Sequence, residues 1–234
     1  MSEKTNSAGG STKWIVTGVL ALIAAAFAIA VIAGNGSDDA SGGSTQDSST
    51  EVSIPSGGSS PSVVGAAENQ PVLVTGQTLD PLGSTGADLS VGANAPELTG
   101  SGFDGTPISV TPGDGTPYML VFLAHWCPHC NAEVPRLVDW NASGMVPDGL
   151  RVIGVSTAVA ADRPNYPPSE WIVEKEWPFE VMADSTEMDA AGAYGVDGFP
   201  FFVVVGADGT VKVRASGEQE IDVIDRLVRD ALAS

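Results

Sequence analysis

Cys127 and Cys130 are the only cysteines of this 234-residue chain, and two residues separate them. That spacing lets two sulfurs close a disulfide within one helical turn and open it again. The only two histidines, His125 and His129, flank the same pair. Reactive side chains are thus gathered on His125-Trp126-Cys127-Pro128-His129-Cys130. Three chemistries suit such a cluster. A purely structural disulfide closing so short a loop stabilises by only about 2 kcal/mol on the chain-entropy relation. A metal centre would use the two thiols with His125 and His129, but a Cys-x-x-Cys pair supplies half a zinc site and no second pair completes it. Thiol–disulfide exchange needs only what is present, and it is the favoured reading.

The elements around the cluster must present one sulfur and shelter the other. Tyr118-Met-Leu-Val-Phe-Leu-Ala124 is a continuous apolar run, the pattern of a strand buried on both faces. It should deliver Cys127 to the start of a helix that runs through Asn131 to about Trp140. Unpaired backbone N–H groups and the helix dipole favour a thiolate there, and Pro128 suits the first turn because its missing N–H costs nothing. Cys127 is then the exposed attacking sulfur and Cys130, one turn deeper, the resolving one. His129 is placed to stabilise the Cys127 thiolate by a hydrogen bond or positive charge, which would make the disulfide a stronger oxidant.

The remaining pattern predicts a short strand at Pro71–Thr75, a hairpin around Asp104-Gly105, a buried strand over Leu150–Ser156 and a short helix within Pro168–Trp177. A short strand at Val181–Ala183 and a helix capped by Ser185 and ending at Tyr194 follow. Phe201–Val205 reads as a strand, Ala207-Asp-Gly-Thr210 as a hairpin turn and Val211–Arg214 as its partner. Ile221, Ile224, Leu227, Val228 and Ala231 recur at helical spacing and close the chain. The order indicates an α/β fold with a central mixed sheet flanked by helices.

Trp126-Cys-Pro-His-Cys130 after an apolar strand, together with Gly195-Val-Asp-Gly-Phe-Pro-Phe-Phe-Val-Val-Val205 and Asp208-Gly209, resembles the thioredoxin superfamily. The resemblance implies a thioredoxin-like fold, a cis peptide bond at Pro200 beside the cysteines, and a Phe199 backbone that pairs with an extended substrate segment. Trp126 would wall the groove. Cys130-Asn-Ala-Glu-Val-Pro135 and Val91-Gly-Ala-Asn-Ala-Pro-Glu-Leu98 are similar to membrane-anchored TlpA/ResA-type thioredoxins, extracytoplasmic reductants of which some serve cytochrome c maturation. That branch implies a glutamate near the active site at Glu133, carrying protons or tuning Cys130; a solvent-facing helix glutamate is the alternative. Two features depart from the branch. The Pro-His dipeptide between the cysteines is that of DsbA-type oxidases, and the place six residues before Cys127, often polar in such proteins, is Val121. His125 is read as a loop residue or a tuning group, and Trp140, Trp171 and Trp177 as packing.

Trp14–Ala33 is almost wholly apolar, and no charge falls between Trp14 and Ser37. About 20 such residues span a bilayer core. Lys4 and Lys13 precede the run while Asp38 and Asp39 follow it, which places the N-terminus inside. The expected organisation is a cytoplasmic segment at 1–13, a signal anchor at 14–34, a disordered Gly/Ser-rich linker at 35–69 and a thioredoxin-like domain at 70–234. A cleaved signal peptide is the competing reading. The linker would reach roughly 30–35 Å. The net charge of −19 repels nucleic acid and anionic lipid.

The sequence therefore leads to a single-pass, membrane-tethered extracytoplasmic oxidoreductase with no cofactor and no metal, expected as a monomer. It would exchange disulfides with exported proteins and a membrane redox partner, leaning toward oxidant. A TlpA-like reductant and a non-catalytic copper or zinc delivery module are the alternatives.

Overall fold

The computed structural model describes residues 66–83 and 86–234. The anchor expected at 14–34, the segment at 1–13 and nearly all of the linker lie outside them. Among the described residues no helix is long and apolar enough to cross a membrane. The folded part begins before residue 70: the Ala67 N–H donates to Phe103 O, the Glu68 carboxylate accepts from Ser169, and Asn69 Nδ2 donates to Asp184 O.

The sheet is built around β4 (Tyr118–Leu123). It pairs in parallel with β5 (Arg151–Ser156) and antiparallel with β7 (Phe201–Val205). Beyond β5 lies β6 (Glu180–Ala183), joined through the single pair Ser101–Ala183 to β2 (Glu97–Ser101). β2 carries both β1 (Leu73–Thr75) and β3 (Pro107–Val110), and β8 (Val211–Ser216) closes the other side against β7. The hairpin expected around Asp104-Gly105 is β2–β3, and Gly209, in the turn before β8, adopts φ +83°, which glycine tolerates without steric cost.

β4 is apolar throughout because it has a core on each side. Tyr118, Leu120 and Phe122 face one cluster with Leu98, Ile153, Val155, Phe201 and α3 (Asp189–Ala193). Met119, Val121 and Leu123 face the other, with α1 (Pro128–Ala142), α2 (Pro168–Glu174) and α4 (Ile221–Leu232). Each fully buried Leu, Val or Phe contributes about 1.5–3 kcal/mol, so this strand is a rigid base for the loop that follows it. Val121 lies inside that second cluster and supplies no proton acceptor.

Ser185 caps α3 less than expected. Its hydroxyl accepts the Asp189 N–H, but buried Asp184 does more: its carboxylate accepts the N–H groups of Ser185, Ala190 and Ala191 and the hydroxyl of Thr157. Asp184→Asn turns an amide N–H toward some of these donors. The expected loss is about 2 kcal/mol of unfolding free energy, read as a lowered urea midpoint with unchanged slope; an unchanged midpoint would contradict this role.

Candidate active site

Cys127 stands at the N-cap of α1 with extended backbone, and Pro128 fills the first helical position as expected. Both cysteines are free thiols. Cys127 is 6% exposed and Cys130 has no exposure. The expected order of access holds, but the outer sulfur is recessed rather than exposed. What covers it is β7: pairing of Phe122 with Phe201 brings the residues just before β7 alongside the loop after β4. The Phe199–Pro200 peptide is cis, and the Cys127 thiol donates to Phe199 O at 3.4 Å. Cys127, Cys130, Phe199 and Pro200 are thus brought together at one end of the sheet.

Trp126 packs, half-buried, against the cluster that holds both cysteines. Its Nε1 donates to Ala158 O at 2.8 Å, its ring meets Phe199 edge to face at 6.2 Å, and the Arg163 guanidinium lies 4.7 Å from the ring centre. His125 is not a loop residue at the surface. It is fully buried, with Nδ1 donating to Pro164 O at 2.8 Å and Nε2 accepting the Ala160 N–H at 3.2 Å. Both ring nitrogens are used to hold the segment after β5 against the thiols. His125 therefore cannot join a metal with them unless it releases Pro164 and Ala160, and among the described residues no group of three or more His, Cys, Asp or Glu is gathered for an ion.

Asn131 continues this bracing: its amide donates to the carbonyls of His125 and Cys127, and its oxygen accepts from Trp171 Nε1. Trp140 is fully buried and donates to Asp225. Both tryptophans pack, as expected, and each also places its one donor.

His129 departs from expectation. Its side chain is 67% exposed, and Nδ1 donates to Glu218 Oε2 at 3.0 Å rather than to the Cys127 sulfur. Glu133 departs in the opposite sense from its solvent-facing alternative: it is fully buried on the inner face of α1. Oε2 accepts the Gln219 N–H at 2.8 Å, and Oε1 is buried with no hydrogen-bond partner. Burial pushes its carboxyl up to about 7, against the opposing pull of the Gln219 N–H and of Arg136, with Glu218 and Glu220 adding repulsion. Burial likewise drives the Cys130 thiol far above the ordinary range, and charge on Cys127 and Glu133 adds to it. An inner thiol and an inner carboxyl that both resist ionisation therefore lie within electrostatic reach of each other.

Sequence reasoning missed Glu218, Arg136 and Gln219, which surround His129 and Glu133. Glu218 sits in an acidic stretch that looks like ordinary solvated loop, 89 residues from His129. Arg163 carried a faint signal, as one of only 10 basic residues in a chain with 29 acids.

A curated relative, the thiol:disulfide interchange protein HelX of Rhodobacter capsulatus, is 27% identical over 120 residues, which are 51% of this chain and 63% of that protein. An Arabidopsis thaliana nucleoredoxin is 27% identical over 109 residues, 46% of this chain and 18% of that one. The chain thus spans less than two thirds of the length of either. A Chlorobium tepidum crystal structure, described as a thiol:disulfide interchange protein of the thioredoxin family, superposes over 62% of this chain and 99% of its own with a TM-score of 0.50 and 28% identity. The fold is thioredoxin-like. The AhpC/TSA family profile matches residues 91–214, more than half of the sequence, and the chain belongs to the AhpC/TSA family.

Proposed function

We propose that this protein is an extracytoplasmic, membrane-tethered thiol–disulfide oxidoreductase that exchanges disulfides with exported proteins and is re-poised by a membrane redox partner. The observation that carries the exchange chemistry is the recessed Cys127 at the start of α1, beside the carbonyl of Phe199 and the cis-proline, with Cys130 sealed one turn behind it. In the oxidising direction a client thiolate attacks Cys127 Sγ of the disulfide form. The Cys127–Cys130 bond breaks, a client–Cys127 disulfide forms, and Cys130 leaves with the electron pair and takes a proton. A second client thiolate then attacks the client sulfur and releases Cys127, so two electrons have passed from client to protein. Phe199 presents main-chain groups to the client strand, Trp126 lines its path, and Glu133 serves as the proton carrier for Cys130. The names of the relatives agree with this reaction class.

The helix N-terminus and the Pro-His dipeptide favour an oxidant. A second reading, a TlpA/ResA-like reductant for a thiol client such as an apocytochrome, draws support from the pairing of His129 with Glu218, which turns the imidazole from the sulfur. The reduction potential decides between them. Equilibration in glutathione or dithiothreitol buffers, read by thiol alkylation, is expected near roughly −120 mV for an oxidase, whereas a value near or below roughly −270 mV makes the protein a reductant. Tethering has its own test: a membrane-impermeant thiol reagent added to intact cells should label Cys127 if the domain lies outside, and labelling only after lysis would end that part of the proposal.

A further inference from the structure

The loop between β8 and α4 reaches back both to the cis-proline and to α1. It is fixed in place at two points: the Gly217 N–H donates to Pro200 O at 2.8 Å, and the Gln219 N–H to Glu133 Oε2 at 2.8 Å. Between these anchors Glu218 divides its carboxylate, one oxygen accepting from His129 Nδ1 at 3.0 Å and the other from Arg136 Nη1 at 2.6 Å. The hydrogen bonds from His129 and then Arg136 hold the Glu218 carboxyl below the usual range. His129 borders a recess of about 540 Å³ along this loop. Among the described residues Glu218 is its side chain's one hydrogen-bond partner. Arg136 braces the carboxylate from the other side and lies 3.6 Å from Glu133.

We propose that Glu218 is a positioning residue that lowers the reduction potential of the Cys127–Cys130 pair by engaging His129 and holding its imidazole away from Cys127. The proposal rests on the exchange reading above and deepens it. Reduction of the disulfide by two glutathione thiols adds two electrons and two protons and yields the Cys127 and Cys130 thiols, of which Cys127 exchanges as its thiolate. An imidazole free to turn toward that sulfur would stabilise the reduced form through a charge-assisted hydrogen bond. Glu218 occupies Nδ1, which fixes the orientation of the ring, and adds a negative charge to the same rim, so both of its effects disfavour the reduced pair. The loop thus moderates what the Pro-His dipeptide alone would set.

The test is the exchange equilibrium of the full chain with glutathione, in which the protein disulfide and two glutathione thiols interconvert with the protein dithiol and one glutathione disulfide. Glu218→Gln is expected to shift the equilibrium about tenfold toward the dithiol, a potential about 30 mV less negative; Glu218→Ser, which removes the same carboxylate, carries the same expectation. In a His129→Ala background the shift should fall below about twofold, because the group that Glu218 restrains is gone. Glu220→Gln, on the same loop but ion-paired with Arg136 at 3.6 Å rather than with His129, should also shift it less than about twofold. No shift on removing Glu218, a full shift that survives His129→Ala, or an equal shift from Glu220→Gln overturns the proposal. A wild-type protein that never equilibrates with glutathione would remove the exchange reading as well, whereas a normal wild-type constant with an unmoved Glu218→Gln removes this proposal alone.

Discussion

Cys127→Ser should reduce disulfide exchange by on the order of 10³-fold or more, since the attacking atom itself is lost. Cys130→Ser should do something different: it leaves Cys127 able to attack but deletes the sulfur that resolves the product. Mixed disulfides should then accumulate on Cys127, visible as higher-mass species on non-reducing gels that collapse with dithiothreitol. The asymmetry follows from the structure. Cys127 keeps a small exposed fraction and meets the Phe199 carbonyl, where a client strand would lie, while Cys130 is sealed beneath it. A client trapped instead on Cys130 in the Cys127→Ser protein would reverse the assigned roles. Substantial turnover by the Cys127→Ser variant would sink the exchange mechanism.

Stability should fall as pH rises from about 4.5 to about 7, and Glu133 should be the cause. An ordinary glutamate titrates near 4.5, whereas in the fold burial pushes this one up to about 7. A carboxyl with a raised folded-state value binds its proton more tightly when folded. Its contribution is therefore complete below pH 4.5, declines across the interval to 7 and is gone above it. The difference amounts to about 3 kcal/mol. Glu133→Gln keeps the group neutral at every pH, so the variant should lose this slope and exceed the wild type by about 2–3 kcal/mol above pH 7. Urea unfolding of the reduced protein between pH 4.5 and 8 measures both curves. Parallel curves would show that the Glu133 carboxyl is not held neutral by its surroundings.

The two outcomes draw on parts of the molecule that differ in how far the sequence reveals them. The Cys-x-x-Cys pair, the apolar run Tyr118–Ala124 and the strand Phe201–Val205 are local patterns, and local physics places them: a doubly buried strand must be apolar throughout, and Pro128 must sit in a first turn. The position of Pro200 beside the thiols followed from the resemblance, and the pairing of β4 with β7 supplies its physical basis. The roles of His125, His129 and Glu133 depend instead on residues far along the chain. His125 is buried because Pro164, 39 residues later, returns to accept its N–H. Glu133 is buried because the Gln219 backbone, 86 residues later, covers it. Nothing in the helical spacing of Glu133 distinguishes it from an exposed acid. Arg214 and Asp88, an ion pair bridging 126 residues, were silent for the same reason. Composition places the start of the folded part at 70 because Ala67–Asn69 look like linker, and only their partners at Phe103, Ser169 and Asp184 draw them in.

The separations within the site have a consequence for how the protein matures. Cys127 and Cys130 are close in any compact turn, but Phe199 reaches Cys127 across 72 residues and Glu218 reaches His129 across 89. Closing a loop of that length costs roughly 3 kcal/mol more chain entropy than closing the cysteine pair. The two sulfurs can therefore join before the surroundings that tune them have arrived, at the affinity of a bare peptide. Whatever change in potential the finished fold then imposes must return, by the thermodynamic cycle, as a difference in folding stability between the disulfide and dithiol forms, about 1.4 kcal/mol for every 30 mV. Denaturation of the two redox forms side by side would thus report the tuning of the site without any client or electron donor present.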